Sequence, residues 1–541
     1  MFSVKVNRTN GGIGRQAAGT DYYGGILYYI KGGSTLPTGF ATNQIQLLRS
    51  INDLIALGIT GNSADETAST GTWLCTNAGV AGETVTLIFT DPITGIATVL
   101  GTATVPSTPT TTTTATAFAA AINAQSYLTG FTATSSTATV TWTAKPGYGV
   151  SLNTGTPYAV TYSSSPTVAG TLTQNVVAGV GSEQDAIYYN VREAFRMQGV
   201  INGNGAAQGM IWLGIYKATS TTYANFTEIA TMQAFSGNQI KTLLVCGIGY
   251  TTTTFRTFAT SEITAVQAQI TTLQGLNTPL KVVYQPNLKG VTTANFVNLL
   301  TLTAPGVQVV CGQDGANVGN KIYQALGASI GCGGTTLGVI CALKVMQSQG
   351  WRGGVNVVDS LEYTTLAFCN GALFSSFGSN LNSTQIGVDA YGWVFLMNET
   401  VPESSALYGG VFYSSDQTAV TGSSNYSNMP NNRTIDKAAV GVRAAILPAL
   451  GGNVYFNANG TLTTDSLLYL QSLGDSVIGN KAFGATVNGS MTSAGEISGG
   501  KTIIDPTQNV QSTQNLAVTM EIVQAGVLRS ITINIGYVAS L

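Results

Sequence analysis

A multidomain chain of mixed α/β and α+β class is what the sequence predicts, on three observations. Between Ser182 and Gln349 short apolar runs alternate with amphipathic stretches at the spacing of a βα repeat, which calls for a largely parallel sheet. From 69 to 178 the texture changes to short Thr-, Val- and Ala-rich segments cut by Gly, Pro and Asn, the pattern of an inserted all-β domain. Each end of the chain carries a segment whose apolar residues alternate, as in a strand with one buried face.

Residues 1–20 are expected to form a strand and a flexible arm. From Phe2 to Asn7, Phe2, Val4 and Val6 face one way and Ser3, Lys5 and Asn7 the other, and a glycine-rich connector runs from Thr9 to Gly14. Residues 21–68 open the framework. GGILYYI reads as a strand, and the three- and four-residue apolar spacing of NQIQLLRSINDLIALGI predicts a helix that ends at Gly61. Within 69–178, TVTLIFT, ATVLGTATV and ATVTWTA read as strands and TAFAAAINA as a helix, with the threonine run Thr110–Thr114 taken as loop or strand edge.

Residues 179–430 form the α/β domain. It begins with the helix SEQDAIYYNVREAFRMQG and continues through strands AQGMIWLGIY, IKTLLVCGIG, LKVVYQP and VQVVCGQ. Between and after them come helices FTEIATMQAF, SEITAVQAQITTL, ANFVNLLTL, NKIYQALGA and TTLGVICALKVMQSQ. Residues 431–541 hold helices at TIDKAAVGVRAAIL and DSLLYLQSLGDSVIG, a loop containing GEISGGKT, and a closing antiparallel pair. In that pair Leu516, Val518, Met520 and Ile522 alternate on one strand, and Ile531, Ile533, Ile535 and Tyr537 on the other.

Composition narrows the function. Charged residues make up 9% of the chain, against about a quarter in an ordinary soluble domain, so much of the surface is expected to be covered by neighbouring subunits. The net charge of -2 comes without a basic run and offers nothing to a phosphate backbone, so no nucleic-acid partner is expected. The opening MFSVKVNRTNGGIGR is charged where a secretory signal is apolar, and no apolar run is long enough to span a bilayer. Synthesis in the bacterial cytoplasm without direct membrane insertion is therefore expected. Cys75, Cys246, Cys311, Cys332, Cys341 and Cys369 are scattered, as suits buried thiols in a reducing compartment.

The chain has no histidine, which removes Ser-His-Asp and Cys-His nucleophiles, HExxH zinc sites and imidazole proton shuttles. Asp65–Glu66, the one adjacent acidic pair, sits in a polar linker and reads as solvated. Gly495–Thr502, GEISGGKT, matches the phosphate-loop pattern GxxxxGK[ST], but that motif needs a buried strand before it and a helix after it. Here a polar, turn-like stretch precedes, and the β-branched Thr502-Ile503-Ile504 runs into Pro506, so Lys501 is expected on a loop that feeds a strand. Gly247-Ile248-Gly249 follows a strand but lacks the third glycine of a dinucleotide site. No catalytic, cofactor-binding or metal residue is assigned, and no enzymatic activity is expected.

The order NNRTIDKAAVGVRAAILPAL, NGTLTTDSLLYLQSLGDSVIG and GEISGGKTIIDPTQNVQSTQNLAVTMEIVQAGVLRSITINIGY resembles the C-terminal domain of contractile tail sheath proteins. VKVNRTNGGIG, SINDLIALGI and DAIYYNVREAFRMQG resemble one branch of the same family, and the inserted β domain lies outside the resemblance. The family implies a sheath-type core and self-assembly into stacked, usually sixfold rings around an inner tail tube protein. Baseplate and tail terminator proteins are further partners, in a virion tail or tail-like particle that contracts to drive the tube through a target envelope. It also implies that strands at the chain ends augment neighbours' sheets, here Phe2, Val4, Val6, Ile531, Ile533, Ile535 and Tyr537, and that the C-terminal domain faces the tube. Arg433, Asp436, Lys437 and Arg443 cluster on a helix of that domain and are the candidates for tube contact, with pairing inside the subunit as the alternative. A secreted or surface β-rich adhesin or surface-layer protein, and a nucleotide-binding protein built on Lys501, are the rival readings.

Overall fold

The computed structural model describes residues 21–30, 35–42, 44–63, 65–201, 209–218, 225–246, 255–288, 297–311, 318–326, 331–357, 390–399, 410–480 and 488–526. The strands expected at Phe2–Asn7 and Ile531–Val538, the Gly247–Gly249 cluster and Cys369 lie outside the described residues. Among those that are described, helices and several separate sheets make a mixed α/β chain, and no helix is long and apolar enough to cross a membrane.

The largest sheet has six strands in the order Val307–Val309, Lys281–Gln285, Thr242–Cys246, Gly24–Ile30, Ile211–Lys217 and Ile45–Leu48. The first five run parallel and the last is antiparallel. Parallel strands covered on both faces need continuous apolar runs, and Gly24–Ile30 is buried at every position. Helices Glu183–Ile201, Glu228–Phe235, Phe255–Gly275 and Gly333–Ala342 cover this sheet. The first and last of these approach so closely that a side chain at Gly334 or Gly338 would collide with the carbonyls of Asn190 or Ala194.

Three expected helices of this body are not formed as read, one of which, TTLGVICALKVMQSQ, stops at Ala342 because the backbone turns extended at Leu343. Residues 44–59 divide into the strand Ile45–Leu48, paired with Ile211–Gly214, and the short helix Ile51–Ala56. The break comes at Ser50, where the Asp53 carboxylate accepts the backbone N–H of Arg49 (2.6 Å) and of Ser50 (3.1 Å) in a capping box. Tertiary pairing overrode a helical period. In ANFVNLLTL the described part is a single 3-10 turn, Leu299–Thr301, because the Asn298 side chain accepts the Leu300 N–H and starts the turn locally.

Residues 70–177 fold into a four-stranded and a three-stranded antiparallel sheet around the helix Thr111–Ala124. This unit has a core of its own, built on Trp73, Trp142, Phe89, Phe118, Phe131 and Tyr158. The rings meet edge to face, Trp73 with Phe118 at 5.2 Å and Trp142 with Tyr158 at 5.1 Å between centroids. The threonine run is the start of the helix rather than a loop or strand edge. Thr110 and Thr113 each accept the other's backbone N–H, at 3.0 and 2.8 Å, a capping box made from hydroxyls alone.

The C-terminal unit packs helices Met429–Ile446 and Thr464–Ile478 against the antiparallel strands Ile497–Ile504 and Val518–Gln524. Its apolar clusters are small, one around Ala438, Ile478 and Ile497 and one around Leu462, Leu470 and Ile504. The buried Asp475 adds a polar tie, accepting the backbone N–H of Thr502 at 2.7 Å and the Asn480 amide at 2.7 Å.

Candidate functional site

Among the described residues a dense collection of charge lies where the C-terminal unit meets the α/β body. Lys241 and Lys281 stand at the starts of adjacent parallel strands, joined by the Lys281 N–H bonded to the Lys241 carbonyl at 3.0 Å. Across from them the helix Met429–Ile446 presents Arg433, Asp436 and Lys437, three and four positions apart and so on one face. Asp21 just precedes the central strand, and Glu496 just precedes Ile497–Ile504.

These groups pair across the junction. Lys281 Nζ lies 2.9 Å from Asp436, and the Lys281 side chain is only 3% exposed. Lys437 Nζ bonds both Glu496, at 2.6 Å, and Asp21. Arg433, 5% exposed, donates to the carbonyls of Leu343 (3.3 Å), Asp21 (3.4 Å) and Lys344 (3.5 Å). Burial disfavours the charge on Lys437, but Asp21 and Glu496 override it and hold its pKa above the ordinary lysine value. For Lys241 burial wins against the pull of Asp21 and Asp436 and lowers the pKa.

Three of the four tube-contact candidates are engaged inside the subunit, the alternative to tube contact. Arg433 and Asp436 are buried, Lys437 is bound on two sides, and Arg443 is half-buried in the last turn of the same helix. The reason is positional: the helix turns this face to the amino ends of the parallel strands. Ligand sites of open α/β sheets lie at the opposite, carboxyl ends. The arrangement is a joint in which ion pairs tie the C-terminal helix to the starts of the sheet strands.

A second polar joint was missed because its acids read as solvated. Glu66 accepts the backbone N–H groups of Gly147 (2.6 Å) and Gly149 (2.7 Å) inside the 70–177 unit. Asp65 accepts the Ser182 hydroxyl, and Asp185 accepts the N–H and hydroxyl of Ser63 at 2.8 and 2.6 Å. Burial raises the pKa of Glu66 in spite of its two amide donors. The acidic pair thus fastens the insertion to the start of the Glu183–Ile201 helix.

The GEISGGKT segment is not a phosphate loop. Ile497–Ile504 is an antiparallel strand in which Lys501 pairs across to Glu521 at 3.1 Å, both side chains exposed. Lys501 itself lies within the strand, not on a loop that leads to it. No helix begins at the lysine to turn its amides toward an anion, because the strand runs on to Ile504. The described cysteines, Cys75, Cys246, Cys311, Cys332 and Cys341, are buried thiols, and burial pushes those of Cys332 and Cys341 up to about 12.

Residues 425–541 match the family described as DUF2586, C-terminal domain. No curated protein matches the chain. Among solved structures, the chain is similar to the anti-feeding prophage (AFP) helical sheath in its contracted state, determined by cryo-EM. The TM-score is 0.38 and the identity 13%, over 64% of this chain and 81% of that one.

Proposed function

We propose that the chain is the structural subunit of a contractile tail sheath, one that polymerises as stacked rings, taken as sixfold, around an inner tail tube and shortens to drive it through a cell envelope. The observation that carries this reading is the C-terminal unit, where the sequence resemblance is concentrated. Its last described strand, Val518–Gln524, turns Val518, Met520 and Ile522 onto the core. Among the described residues that strand is paired on one edge only, by Ile497–Ile504. Donation of the alternating segment Ile531, Ile533, Ile535 and Tyr537 to such a sheet in a neighbour is the strand exchange that would link subunits.

Surface character supports the same reading. Tyr455 is 71% exposed, and Leu468 and Tyr469 lie out on the Thr464–Ile478 helix, an apolar face that suits burial against other chains. In the assembly this face replaces the Arg433 cluster as the candidate contact with the tube or a neighbouring subunit. Contraction then draws on two alternative packings of rigid subunits and needs no nucleotide hydrolysis or cofactor in the chain. Baseplate and terminator proteins are the partners at the ends of such a stack.

Electron microscopy of the purified protein is the test. Hollow, striated cylinders are expected, and removal of residues 529–541 should give folded particles that do not polymerise. Monodisperse single particles at every concentration and salt would reject the reading, as would normal cylinders from the truncated chain for the strand-exchange part of it.

A further inference from the structure

A cavity of about 30 Å³ lies inside the charged joint, lined by Asp21, Lys241, Lys281, Arg433, Asp436 and Lys437 together with apolar side chains. That is room for one or two water-sized particles, which favours a small ion over a phosphate or an organic carboxylate. The charges around it do not balance. With Glu496 included, four cationic side chains meet three carboxylates, a net of one positive charge.

All three carboxylates are already engaged, Asp436 by Lys281 and both Asp21 and Glu496 by Lys437. Lys241 and Arg433 form no ion pair among the described residues. Lys241 donates to the Asn238 carbonyl at 3.3 Å, and the carbonyl contacts of Arg433 run from 3.3 to 3.5 Å. Charge-assisted bonds are shorter, about 2.7–2.9 Å. Cys341 beside Arg433 offers no negative charge, because burial pushes its thiol up to about 12. Arg433 is buried and Lys241 half-buried, and a cation drawn out of water with only neutral, distant acceptors is destabilising unless an anion joins it.

We propose that this cavity binds one small monovalent anion of chloride size, held between Lys241 and Arg433, and that the bound ion locks the C-terminal unit to the α/β body. The site does not depend on the sheath reading.

The test uses the full chain. Melting is followed in sodium chloride and in sodium gluconate at equal ionic strength, gluconate being too large for the cavity, and line broadening of 35Cl by the protein is read by NMR. A saturable, chloride-specific rise in melting temperature is expected, together with 35Cl broadening that bromide competes away. Both should be lost in Lys241→Gln. Identical melting in the two salts would overturn the proposal and mean that Lys241 gives up its proton instead. Chloride-specific effects that persist in Lys241→Gln would place the ion elsewhere and also overturn it. If that variant does not fold, a wild-type crystal grown in bromide decides, with an anomalous peak in the cavity supporting the site and its absence rejecting it.

Discussion

The insertion and the C-terminal unit are fastened to the same α/β body by opposite means. The insertion carries a broad aromatic core of its own and meets the body through its two connectors, paired at Thr67 and Val180, through Glu66 with Gly147 and Gly149, and where Gly149 packs closely on the Ala325 carbonyl. The C-terminal unit has two small apolar clusters and relies on ion pairs sunk into the junction. A unit with a sufficient core can be tethered lightly, whereas one without must borrow order from its neighbour.

The largest test of that contrast is Asp436→Ala. It leaves Lys281 buried without its partner and is expected to cost about 3–5 kcal/mol. The loss should appear in hydrogen exchange as lost protection in both the C-terminal unit and the amino ends of the sheet strands, while 70–177 is unaffected. Protection lost only in the C-terminal helix would show that the joint is not shared. Trp142→Ala empties the insertion core at a similar cost, about 3–5 kcal/mol. Its exchange should rise in 70–177 alone, and a fall in stability of the whole chain would break the comparison.

A smaller effect is expected from Glu66→Ala, which removes the acceptor of the half-buried Gly147 amide and the buried Gly149 amide for about 1–3 kcal/mol. The insertion should keep its own melting transition but become cleavable by protease at its junctions. Acid and alkali should separate the two units further. Glu83, at the insertion's surface, accepts from the N–H groups of Thr167, Val80 and Val168, and these bonds hold its pKa down to about 2. Its contribution is full above the ordinary glutamate pKa and fades as pH falls toward about 2. Lys437 has a raised pKa, so its contribution is full below the ordinary lysine value and is lost as pH rises past it. Exchange at rising pH should loosen the C-terminal joint first, and exchange at falling pH the Glu83 loop. Least of all, Lys501→Ala removes an exposed pair worth about 0–1 kcal/mol and should leave melting and ATP titrations indistinguishable from wild type.

Much of the fold was legible because buried parallel strands must be written as unbroken apolar runs, and TLLVC and KVVYQ were read correctly for that reason. Misreadings fell where side chains act on the backbone locally: Ser50 and Asp53 split an apparent helix, and Thr110 and Thr113 started one in what looked like loop. The joint itself was hidden for another reason. Lys437 meets Asp21 across 416 positions, and no period or spacing reports a pairing so distant. One local sign was available, a lysine opening each of two otherwise apolar strands, IKTLLVC and LKVVYQ, which marks a common edge where charge must be met.

The first and last strands of the insertion are hydrogen-bonded neighbours, with Thr70 opposite Val177. Directly opposed residues of an antiparallel pair stand about 5 Å apart. A loop of a few residues can close that gap, and so can any foreign domain whose own termini lie side by side. The body therefore offers a socket, at which natural recombination or deliberate grafting can exchange one module for another without redrawing the scaffold beneath it.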